Sequence, residues 1–181
     1  MKKLLLLLLI SSLSIMANAQ FTSATLQATG LTCAMCNNAI NKALLKLPYI
    51  ASVKSDIKNS SFLIEFKENT EADIDGLKKA VEDAGFSIGQ LKMTGKFDGL
   101  KIEKDQHLLI GKQVFHFMTK EDQVLNGEQT IQVVDKGFLT AKQFKKISVA
   151  TAPPCLHTGQ AADCCVKDGV PANARVYHVT I

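Results

Sequence analysis

From Ser23 to Met93 the apolar residues switch repeatedly between a period of two and a period of 3.6, a pattern that few folds can accommodate. SATLQATG alternates as a strand, and AMCNNAINKALLKL sets Ile40, Ala43, Leu44 and Leu47 on one helical face before Pro48 stops it. IASVKSDI and SFLIEF alternate again, with Val53, Ser55 and Ile57 on one face of the first and Phe62, Ile64 and Phe66 on one face of the second. KNSS between them reads as a turn, so the pair is a hairpin. In TEADIDGLKKAVEDAG, Ile74, Leu77, Val81 and Ala84 make a second helical stripe, opened by Thr70, with acids in its first turn, and closed by Gly85. FSIGQLKM supplies a last strand. The order is βαββαβ, the ferredoxin-like arrangement, in which two helices cover one face of a four-stranded antiparallel sheet.

Beyond this unit, residues 20–93, TGKFDG at 94–99 reads as a linker, and residues 100–181 read as a small β-rich domain with one short helix. QHLLIGKQVFHFM and DQVLNGEQTIQVV carry strand patterns, the second with Asn126-Gly127 as a hairpin turn signal. LTAKQFKKI reads as the helix: Thr140 caps it, Gln143 completes a capping box and Leu139 staples onto Phe144. Residues 151–174 form a cysteine-containing loop, and RVYHVTI alternates as a final strand. The class is α+β, with an OB-like barrel expected for the second half.

The chain opens MKKLLLLLLISSLSIMANAQ: Lys2 and Lys3, then an apolar run from Leu4 to Met16, then Ala17-Asn18-Ala19 as a small-x-small cleavage site. Residues 1–19 read as a secretory signal peptide. The run is shorter than the roughly 20 residues of a spanning helix, so the expectation is a soluble protein exported to the periplasm, with no stable membrane insertion. The 21 basic residues, less the leader's two lysines, leave 19 against 17 acidic ones, a balance that argues against nucleic acid as a partner. Roughly 160 mature residues suffice for one domain or two small ones. Five cysteines in an oxidising compartment call for pairing, ligation or protection.

Cys33 and Cys36 form a CxxC on the turn into the first helix. Free backbone N–H groups and the positive end of the helix dipole there stabilise negative charge on sulfur. Three uses are open: a metal clip, a redox couple or a local disulfide. Two thiolates without a nearby His or carboxylate suit Cu(I) or Hg(II), whereas structural zinc wants four ligands.

Gly30-Leu31-Thr32-Cys33-Ala34-Met35-Cys36 resembles the GMTCxxC loop of the heavy-metal-associated domain family, found in copper chaperones, in modules of metal-pumping P-type ATPases and in periplasmic mercury-binding proteins. The likeness covers about residues 24–93, from the βαββαβ order to the closing EDAGF. It implies that Cys33 and Cys36 are the metal ligands, that Thr32 shapes the loop and that Leu31, where the motif has Met, anchors it to the core. It further implies a non-enzymatic chaperone or scavenger that captures Cu(I), with Hg(II) or another soft metal as the alternative cargo. Such a protein would pass its ion to a metal-transporting membrane protein or another metal-binding protein. Thr32, where zinc- and cadmium-handling versions carry Asp, leans toward a softer ion, and Phe86 leaves copper and mercury both open. A periplasmic thiol-disulfide protein and an adaptor working through its C-terminal domain are the rival readings; the chain lacks the aromatic before the first cysteine that a thioredoxin-like site carries.

The loop also holds Cys155, His157, Cys164 and Cys165. These read either as a second metal site or as a disulfide from Cys155 to Cys164 or Cys165, since vicinal cysteines rarely bond to each other. His178 on the last strand is a weaker ligand candidate, His116 reads as an ordinary half-buried strand residue and His107 as a surface one. No nucleophile elbow, P-loop, dinucleotide fingerprint or HExxH occurs, so the expectation is that the protein is not an enzyme.

Overall fold

The computed structural model describes residues 20–31, 33–150 and 153–181, without the side chains of Ala150 and Cys164. The signal peptide expected over 1–19, Thr32 and the Cys164 side chain lie outside the described residues. The elements are β1 (Gln20–Thr29), α1 (Ala34–Leu45), β2 (Ile50–Asp56), β3 (Ser61–Phe66), α2 (Ile74–Asp83), β4 (Ser87–Ile102), β5 (His107–Ile110), β6 (Gln113–Phe117), β7 (Gln123–Val133), α3 (Ala141–Ala150), α4 (Pro154–Thr158), α5 (Asp163–Val166) and β8 (Val176–Thr180).

The strands of the described residues belong to one eight-stranded sheet in the order β2-β3-β1-β4-β7-β8-β6-β5. The first four are the ferredoxin-like unit that the periodicity predicts. Asp73, rather than Thr70, caps α2: its carboxylate accepts from the Gly76 N–H at 2.9 Å, while the Thr70 hydroxyl donates to the Lys67 carbonyl. Gly85 takes a left-handed φ of 88°, as a helix stop requires.

The second half departs from expectation. Residues 94–99 are not a linker, because β4 runs through them for 16 residues and pairs with β1 on one edge and β7 on the other. Among the described residues of 100–181 there is no OB-like barrel; their strands extend the same open sheet toward β5. Asn126-Gly127 makes no hairpin. It lies inside β7 opposite a register shift between Phe97 and Leu100, and Gly127 and Gly99 take φ of 71° and 64° there, so the positive-φ residues build a bulge instead of a reversal. The capping box is as read: the Thr140 N–H donates to Gln143 Oε1 at 3.0 Å, and the Gln143 N–H to Thr140 Oγ1 at 3.4 Å.

Period-two alternation along β4 sends Leu91, Met93 and Phe97 into one apolar cluster. That cluster joins Leu26, Phe62 and Ile64 of the first half to Phe115, Tyr177 and Val179 of the second. A smaller cluster of Cys155, Ala161, Cys165, Val170 and Val176 lies under the segment that carries α4 and α5. Because the main core is continuous, urea unfolding of the chain should be a single transition. Truncating fully buried Met93 to Ala should lower its stability by about 2–5 kcal/mol, seen as one shifted midpoint by both circular dichroism and tyrosine fluorescence.

Candidate metal centres

The first centre is built where β1 hands over to α1. Gly30, at a φ of 82°, lets the chain turn out of the sheet, and half-buried Leu31 and Phe86 pack on the core beneath the loop. Cys33 is the extended N-cap residue of α1 and makes no side-chain cap bond, so its sulfur is not committed to the helix backbone. Cys33 Sγ and Cys36 Sγ approach to 2.8 Å, beyond the roughly 2.05 Å of a disulfide bond. Cys33 is exposed, Cys36 half-buried, and Met35 between them is 83 % exposed. Among the described residues, no group of three ligands includes this pair. Its chemistry is that of an accessible dithiol at a helix start.

The second cluster lies in the sheet extension and is buried. Register pairs His107 on β5 with His116 on β6, and His116 with His178 on β8, so three imidazoles stand side by side on one face. The rings of His107 and His116 stack at 4.2 Å, and those of His116 and His178 are 5.1 Å apart. Cys155, at the start of α4, reaches this ladder: its Sγ lies 3.1 Å from His178 Nε2 and 4.0 Å from His116 Nδ1. Carboxylates hold two of the rings from behind, Asp168 Oδ2 at 2.6 Å from His107 Nδ1 and Asp135 Oδ1 at 2.7 Å from His178 Nδ1. Burial first, then the neighbouring His107 and His178, push His116 down from 6.5 to about 3, so it is a neutral imidazole at pH 7.

His107 is thus buried rather than a surface residue, and His116 and His178 join Cys155. His157 does not join them: it is exposed, its ring edge-on to Phe144 at 6.0 Å. Cys165 is buried in the apolar cluster that contains Cys155. Sequence reading missed Asp135 and Asp168 and the alignment of the histidines. A two-residue Gly111-Lys112 turn was the available signal for half of it, since it sets His107 opposite His116.

The family model for the heavy-metal-associated domain matches residues 25–87. Over 59 residues the chain is 30 % identical to the copper chaperone CopZ of Staphylococcus haemolyticus, covering 33 % of this chain and 85 % of that protein. It is 35 % identical over 69 residues to a probable copper-transporting ATPase, HMA5, of Arabidopsis thaliana, which covers 38 % of this chain and 7 % of the ATPase. Among solved structures, oxidised MerP from Ralstonia metallidurans aligns with 26 % identity and a TM-score of 0.33, covering 36 % of this chain and 93 % of MerP.

Arg175 ties the two halves together. Its guanidinium grips Asp75 of α2 through Nε to Oδ2 at 2.8 Å and Nη2 to Oδ1 at 3.2 Å, lies 4.1 Å over the Tyr177 ring and comes within 3.6 Å of Asp135. Burial alone would raise the Asp75 carboxyl, but the hydrogen bonds and charge of Arg175 outweigh it and hold the group below the usual carboxylate range. A carboxyl depressed on folding stabilises the fold above its unfolded value, about 3.9, and that contribution disappears as pH falls through the folded value. Asp75→Asn should therefore lower the urea midpoint at pH 7 and flatten its decline in acid, measured as midpoint against pH.

Proposed function

Through residues 25–87 the chain belongs to the heavy-metal-associated domain family, and from that premise we propose that it is an exported, non-enzymatic carrier that captures Cu(I) between Cys33 and Cys36. The observation that carries this reading is the accessible pair of sulfurs 2.8 Å apart at the N-terminus of a 12-residue helix. Two thiolates satisfy a soft monovalent ion that accepts low coordination, and the positive helix end offsets their charge. Release follows from exposure. A partner thiolate approaches the ion from the open side, forms a three-coordinate intermediate, and one Cu–S bond to this chain breaks as the new bond forms. Similarity to the copper-transporting ATPase supports a metal-transporting membrane protein as recipient. The apolar leader MKKLLLLLLISSLSIMANA supports handling of the ion in the periplasm. No helix among the described residues is long and apolar enough to cross a membrane. Hg(II), equally thiophilic, is the second cargo.

A thiol-disulfide role has the same sulfur approach in its favour, because oxidation of Cys33 and Cys36 needs little movement. Competition separates the two. The reduced full chain, given one equivalent of Cu(I), should retain it against a chromophoric Cu(I) chelator. Cys33→Ser and Cys36→Ser should each surrender it at chelator concentrations the parent withstands. Equal retention by both variants and the parent would sink the carrier reading. Reduction of a client disulfide by a chain unable to hold copper would favour the redox one.

A further inference from the structure

We propose that the histidine ladder and Cys155 form a second, buried metal site, in which His107, His116 and Cys155 bind Cu(I), or Zn(II) with a water in the fourth position, independently of Cys33 and Cys36. Each of these three residues offers a ligand atom within 4.8 Å of the other two. With bonds of about 2.0 Å to nitrogen and about 2.3 Å to sulfur, two nitrogens and one sulfur around a tetrahedral ion sit roughly 3.3–3.5 Å apart. Drawing in any of these separations by at most about 1.5 Å closes the site.

The protonation pattern fits an ion. Asp168 Oδ2 lies 2.6 Å from His107 Nδ1, a bond that in the neutral imidazole favours the proton on Nδ1 and the lone pair on Nε2. That Nε2 is buried without a hydrogen-bond partner, and so is His116 Nε2; the residues are 9 % and 4 % exposed. Buried imidazole nitrogens without partners are costly to keep, and apolar side chains would fill the same volume without that cost. A cation answers what they lack. His178, gripped by Asp135 and 3.1 Å from Cys155 Sγ, positions the sulfur.

The row Cys155, His178, Asp135 also has the order of a nucleophile, its base and an orienting carboxylate. Cys155 and His178 are both 0 % exposed, so an acyl substrate does not reach the sulfur, whereas a single ion needs only side-chain breathing to enter. Mixed imidazole and thiolate ligation backed by carboxylates suits ions of borderline softness, which separates this site from the purely sulfur pair on the surface.

The test uses the reduced full chain carrying Cys33→Ser and Cys36→Ser, so that the surface pair is silent. Co(II), the spectroscopic stand-in for zinc, should bind at one equivalent with a thiolate-to-metal charge-transfer band that Zn(II) abolishes. A parallel Cu(I) titration against a chelator decides which ion binds more tightly. His107→Phe should abolish binding while the metal-free chain stays folded by circular dichroism, because Nε2 had no partner and Asp168, which loses its bond to Nδ1, is partly exposed and can turn to water. Asp168→Asn, at a partly exposed carboxylate, should weaken binding roughly 10- to 100-fold without changing the unfolding midpoint of the metal-free chain. The proposal is overturned if the Cys33→Ser, Cys36→Ser chain binds none of the three ions. It is equally overturned if His107→Phe and Asp168→Asn bind as tightly as that chain does.

Discussion

β4 is the strand on which both halves depend. Its 16 residues pair with β1 over 87–96 and with β7 over 91–102, so the middle of the strand is hydrogen-bonded on both edges. A four-stranded ferredoxin-like sheet ends at its fourth strand, leaving an open edge that invites pairing with another chain. Here the protein's own second half covers that edge. Leu91 is opposite Leu26 on β1 and Val133 on β7, so a single side-chain row passes from one half into the other and the apolar core follows it. The register set at β4 is carried through β7 and β8, and it aligns the histidines further along the sheet.

What the sequence revealed and what it hid divide along the same strand. The first half is made of local signals: a helical stripe, a short turn, a strand of clear alternation, each pairing with a near neighbour. Those survive translation into structure with a shift of three residues at the cap of α2. In the second half the decisive pairing is non-local. β8, the last strand, inserts between β7 and β6, parallel to β6, and no periodicity in RVYHVTI announces its neighbours. Asn126-Gly127 carries a real preference for positive φ, but a bulge uses that preference as well as a turn does. Proximity in sequence misled in the cysteine loop: His157 is two residues from Cys155 yet turns to Phe144, while the imidazoles that meet the sulfur come from β6 and β8. Asp135 and Asp168 gain meaning only from the rings they hold.

The two sulfur sites differ in exposure. At the helix start Cys33 is exposed and Cys36 half-buried, and in the proposed carrier this openness is what would let a partner's thiolates reach the ion. The ladder around Cys155 is enclosed, its rings fixed by carboxylates, so whatever enters must wait for local opening to leave. Arg175 connects the second of these environments to the first half of the chain. It clasps Asp75 on a helix of the first half and stands beside Asp135, which holds His178, which in turn touches Cys155. Asp135 is buried within 3.6 Å of the Arg175 guanidinium, and displacing α2 would take Asp75 away from that guanidinium and free it to shift against Asp135 and the histidine it holds. The sheet joins the halves mechanically, and this polar chain joins the packing of α2 to the geometry of the buried sulfur.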